Sequence, residues 1–286
     1  MHSFFHPMPV RPKIWTKNFL IACFAHFLTA CAFHLLMPAI PLYLFEELDV
    51  EASQMGLVLS SYAIALLFIR PFSGFLVDVY ARKPLYIIGL GLFIAVFIGY
   101  YFAATVVFLI ILRFVHGLFW GLSTVSANTV AIDIIPESRR AEGVGYFGVN
   151  TNVAMAIAPF AAVHIYETHG FHFLVSCALF MGILAVIAVI FIKVPVRTAL
   201  DKIPPLSLDR FILRSGLPIF GNQLMMSFGW GTLIAFAILY GKETGIENPG
   251  IFFLFLALGI ILSRVNSGRF VDKGHIHKVM VVALSA

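Results

Sequence analysis

The chain has 286 residues, of which 60% are hydrophobic and only 12% are charged. This is more apolar surface than a soluble core can bury, so the composition indicates a chain embedded in a lipid bilayer. The formal net charge of +5 does not indicate a nucleic-acid partner, because Lys and Arg fall in short clusters between apolar runs. Cys23, Cys31 and Cys177 all lie in apolar runs and show no disulfide or metal-ligand spacing.

Apolar runs of about 20 residues, the length that crosses a hydrocarbon core about 30 Å thick, recur along the chain. Eight such predicted spans lie near residues 19–45, 54–77, 84–103, 105–132, 141–166, 171–192, 213–240 and 250–271. The last apolar stretch, 279–286, is too short to cross and is expected to begin a ninth span. The pattern therefore predicts an all-α polytopic membrane protein with eight full spans and the start of a ninth.

The distribution of basic residues predicts the orientation of these spans, since Lys and Arg near span ends stay on the cytoplasmic side. One predicted face, called the basic face below, carries fifteen of the nineteen Lys and Arg residues. The opposite face carries Lys242 and an acidic first loop, and three arginines lie within spans. We therefore expect a multi-pass inner-membrane protein whose N-terminus is cytoplasmic.

A nine-residue pattern, RxxSGxxVD, occurs at residues 70–78 and again at 264–272. Each copy closes an even-numbered predicted span on the basic face, so both copies cross the membrane in the same direction, as in a parallel repeat. A basic, proline-containing stretch at 193–212 separates the copies and is typical of a linker. This organisation predicts a six-helix bundle at 1–192, a cytoplasmic linker at 193–212 and an incomplete bundle of two full spans and the start of a third at 213–286.

The first copy places Arg70, Gly74 and Asp78 on one helical face, four residues apart. Gly74 would let another helix approach closely. Asp78 ends its helix, where the helix dipole disfavours an anion by about 0.3–1 kcal/mol, so it needs a cation or the N-terminus of another helix. The alternative is a helix cap and an interfacial arginine placed there by chance.

Residues 74–83 resemble the GxLaDrxGRk loop signature of the major facilitator superfamily, a family of membrane transporters. Ala81 stands where the family has its second glycine, and Val79 where it has a basic residue. The resemblance implies two six-helix bundles that rock about a central cavity, with the loop signatures as a cytoplasmic latch. The residues assigned to this predicted latch are Gly74, Asp78, Arg82, Lys83, Asp133, Gly268 and Asp272.

The resemblance also implies partners for the latch carboxylates. Asp133 is expected to pair with Arg82, and Asp272 to face the start of the fifth helix near residues 139–142. Asp78 would face an eleventh helix, which the chain does not reach. Protonation of one of these carboxylates would weaken the latch and shift the conformational equilibrium.

A second stretch, 112–121, is similar to the RxxqGxg signature of the family's fourth helix, with His116 where glutamine is common. An arginine inside a span costs about 2.5–3.5 kcal/mol on insertion scales, so Arg113 is predicted to face the cavity rather than to snorkel outward. Arg70 and Arg264 complete the predicted set of intramembrane charges. Residues 158–162 match the fifth-helix signature of drug and proton antiporters only weakly.

Several polar or aromatic side chains inside apolar spans are candidates for a substrate cavity. They are His26, His34, Trp120, Asn128, Asn150, Asn152, Asn222 and Gln223. The alternative for each is an interhelical hydrogen bond. His26 and His34, eight residues apart on one helical face, are also candidates for carrying coupling protons.

The sequence thus predicts a secondary active transporter that moves a small solute by alternating access, with proton-coupled efflux as its expected direction. No enzyme motif such as HExxH, GxSxG or a P-loop occurs, so neither catalysis nor a metal or other cofactor is expected. The alternatives are a membrane receptor or scaffold, and a transport-incompetent fragment. The chain covers about two thirds of a twelve-helix family member, and alone it would expose polar cavity surfaces to lipid.

Overall fold

The computed structural model describes residues 12–195, 216–229, 244–245 and 251–285. No strand occurs in these ranges, which confirms the all-helical prediction for the described chain. The helices are α1 (Lys17–Glu46), α2 (Ala52–Val79), α3 (Arg82–Gly99), α4 (Val106–Ile134), α5 (Arg140–Ile190), α6 (217–229), α7 (Ile251–Asp272) and α8 (Ile276–Ser285). Short 3-10 turns, Tyr100–Phe102 and Glu137–Arg139, precede α4 and α5.

Local sequence accounts for the starts of two helices and for the lengths of the apolar ones. In the described ranges, α1 to α5 are long and apolar enough to cross a membrane. The hydroxyls of Thr16 and Thr105 accept hydrogen bonds from backbone N–H groups in the first turns of α1 and α4, so both helices begin at capping residues. At 22 residues, α7 is about 33 Å long, which matches the hydrocarbon core.

The fifth helix bends back on itself. Its 51 residues would extend about 77 Å if straight, more than twice the thickness of the hydrocarbon core. Gly170 interrupts it at φ 80° and ψ 175°, a backbone conformation that glycine adopts because it has no Cβ. The ring of Trp15 lies 5.0 Å from that of Tyr146 near the start of α5, and Asn18 hydrogen-bonds Lys193 just beyond its end.

Both ends of α5 therefore lie beside the start of α1, and the bend lies at the opposite end. There the ring of Tyr43 stacks on Phe171 at 4.1 Å, and the hydroxyl of Tyr166 lies 3.5 Å from the Glu47 carboxylate. The predicted spans 141–166 and 171–192 are thus two antiparallel arms of one bent helix. The described ranges contain eight helices, because the predicted fifth and sixth spans belong to one helix. The predicted count of eight full spans and the start of a ninth is therefore not confirmed by these ranges.

The core of the bundle forms around α1, which packs against both arms of α5. Ala25, Ala32 and Ala39 are fully buried on α1, where their small side chains allow close helix contacts. A second close crossing joins α2 and α4, since a Cβ on Gly117 would lie 2.6 Å from the carbonyl oxygen of Tyr62. These crossings position the polar side chains described below.

Little of the linker and the seventh span is described. Of the predicted linker 193–212, only residues 193–195 are described, and of the predicted span 213–240 only 216–229. Among the described residues, the side chains of 217–229 are all exposed. Lys242, the basic residue of the face opposite the basic face, lies outside the described residues.

Candidate functional site

The C-terminal end of α7 is bonded to the N-terminal end of α5. The two carboxylate oxygens of Asp272 accept hydrogen bonds from the backbone N–H groups of Ala141 at 2.9 Å and Glu142 at 2.8 Å. These N–H groups lie in the first turn of α5, where they have no partner within the helix and where the helix dipole favours an anion. Asp272 thus lies where the family resemblance implies, while its role as a latch stays a prediction.

Glycines make this contact possible. A Cβ on Gly268 would lie 2.7 Å from the Ala141 carbonyl oxygen, and one on Gly145 would lie 2.7 Å from the Arg264 carbonyl oxygen. The guanidinium of Arg264 lies directly over Gly148. The backbones of α5 and α7 therefore approach so closely that a Cβ at either glycine would overlap a backbone atom of the other helix.

A buried carboxylate reinforces the same contact. Glu142 is 1% exposed and pairs with Arg139 at 2.9 Å and with Arg269 of α7 at 2.9 Å. Arg269 also donates to the hydroxyl of Tyr146 at 2.6 Å. Sequence reasoning did not select Glu142 or Arg269, although the signal exists: an acidic residue in the first turn of α5 and a basic one in the last turn of α7, where the first copy has Phe75.

At the end of the first copy, part of the charge network predicted for the latch is present. Arg82 pairs with Asp133 and lies 4.0 Å from Asp78, whose side chain is 73% exposed. Lys83 donates at 2.7 Å to a backbone carbonyl at the end of α5. A Cβ on Gly74 would meet no atom within 4 Å, so no described helix covers this face of α2. The two copies therefore differ: the second contacts a helix N-terminus, and the first contacts none among the described residues.

Arg113 points into the bundle rather than snorkelling outward. Its side chain is 2% exposed, and its guanidinium carbon lies 4.4 Å from the ring centroid of Tyr62, a cation–π contact. One turn later, His116 is fully buried, with Nδ1 3.0 Å from the hydroxyl of Tyr100. In the described part of the chain, Nε and Nη1 of Arg113 and Nε2 of His116 have no hydrogen-bond partner.

An aromatic cluster lies next to this arginine. Phe33 of α1 stacks on Trp120 at 4.2 Å and on Tyr62 at 5.4 Å, and Phe93 lies 5.1 Å from Trp120. Trp120 was predicted from the sequence, whereas Phe33, Tyr62 and Phe93 were not. The sequence contains 30 phenylalanines, so residue type alone does not distinguish a cavity aromatic from a core one.

Three of the predicted polar candidates lie on α1 and on the first arm of α5. His26 stacks on Phe147 at 4.3 Å, and its Nε2 lies 2.9 Å from the Thr151 hydroxyl. Asn150 donates to the Phe147 carbonyl at 3.0 Å. The amide nitrogen of Asn152 is buried and has no partner among the described residues.

The structure does not bring the other candidates to this point. His34 contacts the edge of Phe33 at 5.0 Å, and Asn128 is exposed and bonds the Thr124 carbonyl of its own helix at 2.8 Å. Arg70 is exposed on α2. The last two candidates are exposed on α6: Asn222 and Gln223.

Comparisons with known proteins agree with this architecture. The family model described as Major Facilitator Superfamily matches residues 22–286. The multi-drug resistance efflux pump PmrA of Streptococcus pneumoniae is 28% identical over 295 residues, which cover 94% of this chain and 70% of PmrA. The quinolone resistance protein NorA of Staphylococcus aureus is 27% identical over 237 residues, which cover 80% of this chain and 58% of NorA.

Two crystal structures share the fold. The Escherichia coli fucose:proton symporter FucP aligns with a TM-score of 0.71 and 16% identity, covering 94% of this chain and 74% of FucP. The human organic anion transporter MFSD10 aligns with a TM-score of 0.69 and 14% identity, covering 91% of this chain and 73% of MFSD10. The family model covers nearly the whole chain and the helices follow the same fold, so the chain belongs to the Major Facilitator Superfamily.

Proposed function

We propose that this protein is a secondary active transporter that exports a small solute by alternating access and uses protons as its coupling ion. Membership of a transporter family supports transport. The names of PmrA and NorA, which describe efflux and drug resistance, support export. The fucose:proton symporter FucP supports protons as the coupling ion.

The proposed arrangement has two bundles, 1–192 and 213–286, joined by the linker 193–212. The two arms of α5 supply the fifth and sixth spans, which brings the total to eight full spans and the start of a ninth. The protein is placed in the inner membrane with its N-terminus in the cytoplasm. Contacts such as that of Lys83 with the end of α5 support one basic face, because they gather the basic clusters at the same ends of the helices.

The observation that carries the proposal is the contact of Asp272 with the start of α5. In the proposed arrangement this contact joins a helix of the first bundle to a helix of the second on the basic face, as expected for a state that is closed there. Opening that face requires both charge-assisted hydrogen bonds to break, together with the Glu142–Arg269 pair. Hydrogen bonds to charged groups contribute about 1.5–3 kcal/mol each, so protonation of the carboxylate would favour the open state.

We propose that the transported solute binds at the aromatic cluster beside Arg113 and that it is small, amphipathic and aromatic. The stacked rings of Phe33 and Trp120 would supply flat apolar surfaces, and Asn152, whose amide nitrogen has no hydrogen-bond partner among the described residues, is proposed to supply a polar group. Ligand sites of this kind combine an apolar lining with a few polar groups that orient the ligand. The buried charge of Arg113 is proposed to take part in coupling, because a cation at this depth is costly and must be stabilised in each state.

The test uses inside-out membrane vesicles from cells that make the protein from its native locus, and an acidic vesicle interior. Ethidium, an aromatic cation, should accumulate in the vesicles, and a protonophore should abolish its accumulation.

The same assay tests the latch. Asp78→Asn removes the carboxylate of the first copy and should lower the initial rate of ethidium uptake at least tenfold, because the latch network loses one of its negative charges. Asp49→Asn is the matched control, since Asp49 lies in the first loop at φ 49°, which asparagine also adopts. Unchanged transport by Asp78→Asn would contradict the latch, and ethidium accumulation that persists with the protonophore would contradict proton coupling.

A further inference from the structure

A cavity of about 680 Å³ opens at the basic face between the start of α1 and the end of α5. Its lining includes the polar side chains of Lys17, Asn18 and Lys193 and the apolar side chains of Ile21, Phe24 and Phe191. Its volume lies in the range of small-molecule sites, and it is separate from the aromatic cluster and from the α5–α7 contact.

The rim of this cavity is built by a two-way hydrogen bond. The side-chain amide of Asn18 donates to the Lys193 carbonyl at 3.0 Å, and the Lys193 N–H donates to the side-chain oxygen of Asn18 at 3.3 Å. This pairing holds two segments 175 residues apart side by side, so Lys17 and Lys193 lie on one rim. Within the described ranges no carboxylate forms an ion pair with either lysine, so among these residues the rim carries two positive charges without a compensating carboxylate.

The cavity extends from this charged rim into the membrane. Phe24 lies seven residues after Lys17, which is about 10 Å along α1. The headgroup region on each side of a bilayer is about 5–8 Å deep, so Phe24 reaches the level of the acyl chains. Phe24 and Phe191 are 55% and 65% exposed, so in a bilayer both would present aromatic surface to the lipid.

We infer that this cavity binds an anionic phospholipid. The lipid phosphate lies between Lys17 and Lys193, and an acyl chain lies along Ile21 and Phe24. A zwitterionic lipid would bring a second positive charge to an already positive rim, whereas the apolar wall gives a free phosphate ion nothing to contact. Basic pockets between transmembrane helices have this combination of charge and depth. The bound lipid would join α1 to the start of the predicted linker.

The test is native mass spectrometry of the purified full chain titrated with phosphatidylglycerol or phosphatidylcholine. The unaltered protein should retain phosphatidylglycerol in preference. The double variant Lys17→Gln/Lys193→Gln should bind it about 25-fold more weakly, since each lysine near an anionic headgroup contributes about fivefold. The control, Lys273→Gln/Lys278→Gln, removes two exposed lysines near α8 and should bind as the unaltered protein does.

Further measurements separate charge from folding and lipid from free anion. Lys17→Arg/Lys193→Arg keeps both charges and should retain the lipid, and gel filtration should show that every variant elutes as the unaltered protein does. Equal retention of phosphatidylglycerol by the Gln double variant, or equal binding of phosphatidylcholine, would overturn the inference. Displacement of the lipid by millimolar inorganic phosphate would also overturn it, since the site would then recognise the free anion.

Discussion

Glu142 is a carboxylate almost completely removed from solvent, and it lies between Arg139, in the turn before its own helix, and Arg269 of α7. Glutamine has nearly the same shape as glutamate but no charge, so Glu142→Gln leaves the positive charges of Arg139 and Arg269 without this negative partner. We expect Glu142→Gln to lower the free energy of unfolding by about 1–3 kcal/mol, measured as a fall in the midpoint of thermal unfolding in detergent.

Glu137 offers a matched control three residues before Arg140. Its side chain is 90% exposed, and its pair with Arg140 at 3.5 Å is solvated. Glu137→Gln should therefore change the free energy of unfolding by less than about 0.5 kcal/mol. If both variants lost the same stability, the buried carboxylate would not be what stabilises the contact.

The orientation of Arg113 could be predicted from the sequence, but the residue that it contacts could not. Its place inside a predicted span indicates an inward-facing charge because outward exposure to lipid is costly. Tyr62, which supplies the ring under its guanidinium, lies 51 positions earlier on another helix and carries no local signal of the contact. The inward position of the Arg113 charge was therefore predictable. Its contact with Tyr62 was not, because that contact depends on how α2 crosses α4.

At the level of helices, the crossing of α5 and α7 depends on the absence of a side chain at Gly268. A Cβ there would lie 2.7 Å from the Ala141 carbonyl oxygen, which is backbone and cannot rotate away. Gly268→Ala should therefore push α7 from α5 and lower the free energy of unfolding by about 1–3 kcal/mol. Thermal unfolding in detergent measures the change.

The repeat supplies its own control, because Gly74 occupies the same place in the first copy. No atom lies within 4 Å of a Cβ added there, so Gly74→Ala should be neutral or stabilise α2 by up to about 1 kcal/mol. Equal losses in the two variants would contradict the prediction, because the loss could not then be assigned to the α5–α7 contact.

For the molecule as a whole, the α5–α7 contact predicts how the two halves are distributed between closed and open arrangements. Spin labels at Glu137→Cys and Lys273→Cys, with the three native cysteines replaced by alanine, report the separation of the halves on the basic face. Adding Asp272→Asn weakens two hydrogen bonds to the start of α5. In double electron–electron resonance we expect the distances between the two spin labels to shift to longer values. The ratio of open to closed molecules should rise about tenfold to a hundredfold.

The control for this measurement is Asp49→Asn, in the first loop on the opposite face, which should leave the distance distribution as it is. An unchanged distribution in Asp272→Asn as well would mean that this carboxylate does not hold the halves together. The prediction would then be wrong even if the protein transported its solute.

The sequence by itself determined the helices, their apolar lengths and the repeat, because the need to bury about 20 apolar residues per span is local and is read directly along the chain. The partners expected for Asp272 and Arg82 were implied by the resemblance of residues 74–83 to the family signature. Only the tertiary structure decided that Glu142 pairs with Arg269, that Phe33 stacks on Trp120 and that two lysines 176 positions apart share one rim. These contacts join distant segments, and they depend on the crossings at glycine and alanine that set which faces of the helices meet.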